Sequence, residues 1–317
     1  MTTDGASGRT HTARALATAL AALALANGCR GRQPEPPPVQ PPSAAITVTD
    51  QRGCSLTLPR APQRIVSVAP SNTELLFALG LGDQVIAVTS DCNYPPEAAA
   101  KEKIGDFKPS IERIAALAPD LVVAVRDLQP DTISKLDEAA VPVLVLDPYT
   151  WDALFEAIEL LGEATGTERK ARELVEEMKS KREQVRGQTK DLSQHERPKV
   201  MVEIGDQPLM LAGPGTFVDQ LIEDAGGRNI AAGARVEWAQ FSPEAVVEAN
   251  PDVILTTIEG DAQKVRAREG WQSVTAIETG RVHEVDPDLV LRPGPRLLLG
   301  LRQMLALLHP DLAEPAR

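Results

Sequence analysis

The sequence predicts an α/β protein of two lobes with parallel-type sheets and a ligand cleft between them. Three observations predict it. A unit of capped helix, Pro-Asp turn and apolar strand occurs twice, at residues 110–125 and 242–257. Strand and helix patterns alternate through both halves, as crossover-connected parallel sheets require. A long helical stretch lies between the two copies of the unit.

Each element has a local cause. Residues 1–29 read as an export leader: Arg9 and Arg14 precede the apolar run Ala15–Ala26, which is too short to span a bilayer. The run ends in Ala26-Asn27-Gly28-Cys29, a lipobox-like end that makes Cys29 the candidate lipidation site. Residues 30–45 are a proline-rich tether, in which Gln33 to Ala45 is extended and reaches roughly 40 Å at ~3 Å per residue.

The N-terminal lobe is expected over 46–165. It opens on a hairpin, Ile46 to Leu58, turning at Asp50–Gly53. A strand follows at Arg64–Ala69. Ser71-Asn72-Thr73-Glu74 has the form of a capping box opening a helix that Gly80 stops. Strands are expected at Val85–Thr89, Leu121–Val125 and Val141–Leu146, and a helix at about Asp131–Ala140. Ser110 and Ser242 are the N-caps of the repeated helices. Pro243 suits the first helical position, and Pro119 and Pro251 end the helices. The apolar strands that follow suit a sheet covered on both faces.

Trp151 to about Lys190 is helical, with a break near Gly162–Thr167. Ala171, Leu174, Val175 and Met178 form an apolar stripe at helical spacing. The interlobe helix is assigned to 166–197 and the C-terminal lobe to 198–317. A helical connection implies small lobe movements. The second lobe begins at Lys199–Gly205, has a helix over Thr216–Ala225, and ends in a helix from about Arg296 to His309. Val145-Leu-Asp147-Pro148 and Val285-Asp286-Pro287 close the last strand of each lobe in the same way.

Composition excludes several functions. A net charge of −12 argues against nucleic acid. Three cysteines do not make a disulfide framework, although Cys54 and Cys92 could pair in an oxidising compartment. No catalytic constellation and no metal spacing emerges: the histidines are isolated, and neither a nucleophile elbow nor a Walker loop occurs. Glu112 and Glu244 hold the second position of the repeated helices, where a carboxylate is favoured by the helix dipole. They also form a matched pair, one on each lobe, suited to two arginine clusters on a partner. Aromatics are only 3% of the chain. Tyr94, Phe107 and Trp238 stand in loops near the presumed cleft, the last two at near-equivalent places before the repeated helices.

From Val48 to His309 the chain resembles the substrate-binding proteins of bacterial ABC importers for cobalamin, ferric siderophores and haem. The resemblance rests on Arg64–Gly80, Ser90–Glu97, both Ser-x-Glu units and Arg292-Pro-Gly-Pro-Arg296. It implies Rossmann-like lobes joined by one long helix, and a binding protein rather than an enzyme. It implies docking of Glu112 and Glu244 on arginines of a permease dimer served by an ATPase. The Asn-Tyr-Pro-Pro segment and the tryptophan before Ser-x-Glu look most like the cobalamin branch. There, positions matching Tyr94, Phe107, Trp238, Asp288 and Arg292 would line a corrin site. Phe107 stands where a tryptophan can occur and Val125 replaces an aromatic, so haem and siderophore remain open. A haem binder would draw an axial ligand from Tyr94 or Tyr149. An enzyme or metallochaperone on the same frame is the alternative from another class. The expectation is therefore an exported monomer, periplasmic or at the cell surface, touching a membrane only through its lipid anchor.

Overall fold

A computed structural model describes residues 45–312. The leader, Cys29 and all but the last residue of the tether lie outside them.

The first lobe opens on a hairpin, β1 (Ile46–Thr49) and β2 (Ser55–Leu58), paired antiparallel. Buried Asp50 shapes its turn by accepting hydrogen bonds from the amides of Arg52 (2.9 Å) and Cys54 (3.0 Å). Gln51 ties the turn to the sheet. Its amide donates to the Val145 carbonyl (3.1 Å), and its side-chain oxygen accepts from the Asp147 amide (2.7 Å). The hairpin thus covers an edge that would otherwise expose unpaired backbone groups.

The lobe continues through β3 (Ile65–Ser67), α1 (Pro70–Ala78), β4 (Val85–Val88), α2 (Pro96–Ala99), β5 (Glu102–Lys103) and α3 (Ile111–Ala116). It closes with β6 (Leu121–Val125), α4 (Pro130–Glu138) and β7 (Val143–Leu146). The strands pair in parallel in the order β5-β4-β3-β6-β7. Every residue of β6 and β7 is buried, which accounts for their uninterrupted apolar sequence.

Two helices then cross to the second lobe: α5 (Trp151–Thr165) and α6 (Glu168–Thr189). Gly166, at φ +71°, ends α5 in the left-handed conformation. Gly162 lets the two helices approach closely, since a Cβ there would lie 2.5 Å from that of Ala171.

The second lobe comprises β8 (Lys199–Asp206), β9 (Leu209–Ala212), α7 (Phe217–Asp224), β10 (Arg228–Asn229), β11 (Trp238–Gln240) and α8 (Pro243–Ala249). It ends with β12 (Val253–Thr256), α9 (Ala262–Arg266), α10 (Thr275–Glu278), β13 (Val282–Glu284), α11 (Pro287–Val290) and α12 (Leu297–Leu308). Its sheet runs β11-β9-β8-β12-β13, with β10 alongside β8. Here β8, β10, β12 and β13 are parallel, whereas β9 pairs antiparallel with both β8 and β11. The antiparallel edge is invisible in the repeat because it falls between the repeated units.

One apolar core runs through both lobes, from Ile65 and Leu76 through Leu154, Leu161 and Val175 to Val202, Leu221 and Leu301. Each lobe adds a private core on the other face of its sheet. Trp151 anchors the junction, stacking on Phe155 and meeting Phe217 edge-on at 5.6 Å. A continuous core resists hinging, because separating the lobes would expose packed apolar surface.

Two expectations are corrected. Ser71-Asn-Thr-Glu74 does not cap α1. Pro70 starts that helix behind Ala69, no side chain caps it, and Glu74 is buried in a bond to the other lobe. Cys54 and Cys92 are free thiols. Cys54 is exposed at the hairpin. Cys92 is buried, with its sulfur 3.1 Å from both the Thr73 and Thr89 hydroxyls.

Candidate ligand cleft and docking faces

The loops that follow the parallel strands of the two sheets meet between the lobes, where α/β sheets bind ligands. The meeting is closed at one end by a charged bridge. Glu74 of α1 accepts from Arg296 through a two-pronged contact (2.9 and 2.5 Å) and from Arg292 (3.1 Å). Arg292 also donates to the Asn93 side chain (2.8 Å) and pairs with Asp288 (2.6 Å). The Asn93 amide in turn donates to Asp288 (3.3 Å). The Arg296 guanidinium lies 4.1 Å from the centre of the Tyr94 ring. The hydrogen bonds to Glu74 hold Arg296 firmly protonated against its burial.

Tyr94, Asp288 and Arg292 are therefore brought together. Trp238 is elsewhere on the rim: it shares a small hollow with Tyr149, Glu237 and Leu291. Phe107 projects from the loop before α3. All three predicted aromatics are large exposed rings, at 43% for Tyr94, 48% for Phe107 and 42% for Trp238. Exposed rings of this size in a chain so poor in aromatics are suited to a flat, bulky ligand. Phe107 and Trp238 make no ring contact with one another; the ring pairs among the described residues centre on Trp151.

The crevice is acidic. A hollow of about 400 Å³ at the ends of β12 and β13 is lined by Glu259, Glu284, Asp286 and Asp288 beside Ile258 and Val285. On the facing lobe Arg126 pairs with Asp147 and lies 3.4 Å from Asp127. Burial, helped by Asp127, Asp147 and Glu237, pushes the Tyr149 phenol up to about 12. Among the described residues, no group of His, Cys, Asp and Glu is arranged to hold a metal ion.

Glu112 and Glu244 are both exposed on short helices at matching positions. The Ser110 hydroxyl accepts from the Arg113 amide (3.3 Å) and donates to Glu112 (2.9 Å). The Ser242 hydroxyl accepts from the Ala245 amide (3.2 Å). Backbone and serine hydrogen bonds lower both carboxylates below their ordinary value, so each presents a full negative charge. The residues before the terminating prolines, Ala118 and Asn250, both take the left-handed conformation, at φ +43° and +48°. The Asn250 side chain accepts from the Thr275 amide (2.8 Å).

Sequence reasoning missed Glu74 and Asn93 as members of the bridge. The available signal was an acid placed directly before the buried apolar residues Leu75 and Leu76, in a chain whose Arg292-Pro-Gly-Pro-Arg296 motif carries two arginines.

The family model described as periplasmic binding protein matches residues 65–289. The chain is 37% identical over 271 residues to an uncharacterised ABC transporter substrate-binding lipoprotein, YvrC, of Bacillus subtilis, covering 84% of this chain and 86% of that one. It is 32% identical over 250 residues to the vitamin B12-binding protein of Pectobacterium carotovorum, covering 77% and 87% respectively. Among solved structures, the periplasmic heme-binding protein RhuT of Roseiflexus sp. RS-1 superposes with a TM-score of 0.70 at 29% identity, covering 80% of this chain and 99% of that one.

Proposed function

The chain belongs to the periplasmic binding protein family, as a substrate-binding protein of the ABC-transporter type, and we propose that its cargo is a corrinoid. The observation that carries this reading is the charge of the crevice. Arg126, Arg292 and Arg296 are each held by carboxylates, and further acids line the rim. Haem propionates and anionic iron chelates would meet like charge there. A corrin instead carries carboxamides around its edge, whose N–H groups donate to carboxylates. Tyr94, Phe107 and Trp238 supply apolar faces for the ring. The similarity to a vitamin B12-binding protein supports the same choice.

Haem is the second reading, supported by the fold shared with a heme-binding protein and by the exposed Tyr94 phenol. Tyr149 is the poorer axial ligand, since its phenol holds its proton to about 12. Titrating the protein with cyanocobalamin, haemin and a ferric siderophore tests the proposal. Cyanocobalamin is expected to bind at one equivalent, and Trp238→Ala to weaken it about tenfold or more. A stoichiometric Soret shift with haemin, together with no uptake of cyanocobalamin, would overturn it.

Delivery is assigned to Glu112 and Glu244, which offer one ionised contact on each lobe to cationic side chains of the permease. The leader and Cys29 are assigned to export and lipid anchoring, a reading supported by the lipoprotein name of the Bacillus relative. The expected result is membrane retention of the wild-type protein and release of Cys29→Ser into the soluble extracytoplasmic fraction. Equal retention of both would remove the anchor.

A further inference from the structure

We propose that Glu74 is a positioning residue: through Arg292 and Arg296 it holds the two lobes at one separation and so retains cargo it does not touch. The cargo part of this statement rests on the binding reading above; the lobe-holding part does not.

Glu74 belongs to the N-terminal lobe and is 3% exposed. Among the described residues its side-chain partners are both arginines of the C-terminal lobe. A buried carboxylate is tolerated when opposite charge and hydrogen bonds compensate it. Here all of that compensation comes from across the lobe boundary. Moving the lobes apart would leave a buried carboxylate without its charge partners and two guanidinium groups without it. The contact therefore acts as a latch with a single favoured closure.

The latch also sets the cargo surface. Arg296 lies against the Tyr94 ring, and Arg292 holds Asn93, the residue before it. The orientation of the lobes and the placement of an aromatic platform thus depend on the same carboxylate. This changes the role expected for Arg292: its donors are committed to Glu74, Asn93 and Asp288 rather than to an incoming anion. Because the shared core also joins the lobes, loss of the latch should loosen the closed arrangement without unfolding the protein.

The experiment measures lobe separation directly. Spin labels are placed at Glu112→Cys and Glu244→Cys in the full chain, with Cys29 and Cys54 changed to serine and buried Cys92 kept. Without any ligand, the otherwise unchanged chain should give one narrow distance distribution. Glu74→Gln should broaden it toward longer distances. A triple variant, Glu74→Gln with Arg292→Gln and Arg296→Gln, leaves no buried unpaired charge and should broaden it equally. In stopped flow on label-free proteins, Glu74→Gln should raise the dissociation rate of cyanocobalamin about tenfold or more while changing association little. Wild-type distances in both variants would overturn the latch. Broadened distances with unchanged dissociation would overturn its role in retention. Broadened distances in a protein that fails to bind cyanocobalamin would support the latch and reject the corrinoid reading.

Discussion

Replacing Glu112 and Glu244 together by alanine is expected to reduce transport in reconstituted vesicles to background while cyanocobalamin affinity stays within about twofold of wild type. The two carboxylates occur at the same position of the repeated helices, on opposite lobes, and both are exposed. Each is kept ionised by its own backbone amide and a serine hydroxyl. Neither makes a contact between lobes or joins the bridge around Glu74. Their removal therefore leaves the crevice intact and takes away the paired charges offered to a partner. Bidentate arginine contacts depend on a carboxylate at a defined place, so Glu→Gln at both positions should fail nearly as completely as alanine. Each single variant should retain part of the activity, because one lobe still docks. Uptake by the double variant at the wild-type rate would refute the assignment, and lost cyanocobalamin binding would show that the variant had damaged the crevice instead.

The largest expected effect on stability is at Arg268. Glu203, on the central strand β8, is fully buried, and Arg268 meets both of its oxygens at 2.7 and 3.0 Å. Asp261, also buried, lies 4.0 Å from the same guanidinium and 3.3 Å from the Lys264 ammonium, and neither of its oxygens has a hydrogen-bond partner among the described residues. Arg268 further covers Trp271, at 4.5 Å from the ring. Arg268→Ala leaves a buried carboxylate uncompensated and is expected to cost about 3–5 kcal/mol at neutral pH.

Its pH dependence follows from burial, which raises the Glu203 carboxyl above its ordinary value, with Arg268 opposing the rise. A carboxyl raised in the folded state contributes stability below the unfolded value, and that contribution fades as pH climbs through the folded value. Removing Arg268 raises the folded value further. The deficit of the variant should therefore be greatest near pH 7 and should shrink on acidification as Glu203 takes up its proton. Urea unfolding of both proteins at pH 5 and pH 7.5 checks this, and adding Glu203→Gln to Arg268→Ala should recover part of the loss. An equal deficit at both pH values would mean that lost packing on Trp271 dominates.

Much of the architecture was legible along the chain. Helix caps at Ser110 and Ser242, the break near Gly162–Thr167, and the buried runs Leu121–Val125 and Val253–Thr256 depend on residues within a few positions of one another. The matched exposed acids were legible for the same reason, since a repeated local motif places Glu112 and Glu244 alike. The antiparallel edge of the second sheet was not legible, because β9 and β11 have no counterpart in the repeated unit. The capping-box reading of Ser71–Glu74 failed because a local hydrogen-bond pattern competed with a tertiary one. Burial made a charged bridge worth more than a cap.

The sequence by itself determined the two-lobe plan, the spine between the lobes and the pair of exposed acids, because each is written in local patterns of helix, turn and strand that recur along the chain. Only the tertiary structure decided that Glu74 meets Arg292 and Arg296, that Tyr94 rests against Arg296, and that the crevice arginines are already paired. The contacts of Glu74 and Tyr94 with these arginines join residues more than two hundred positions apart. They exist because the shared core brings the loop ends of both sheets together, and a buried charge then takes the nearest opposite charge whatever its distance along the chain.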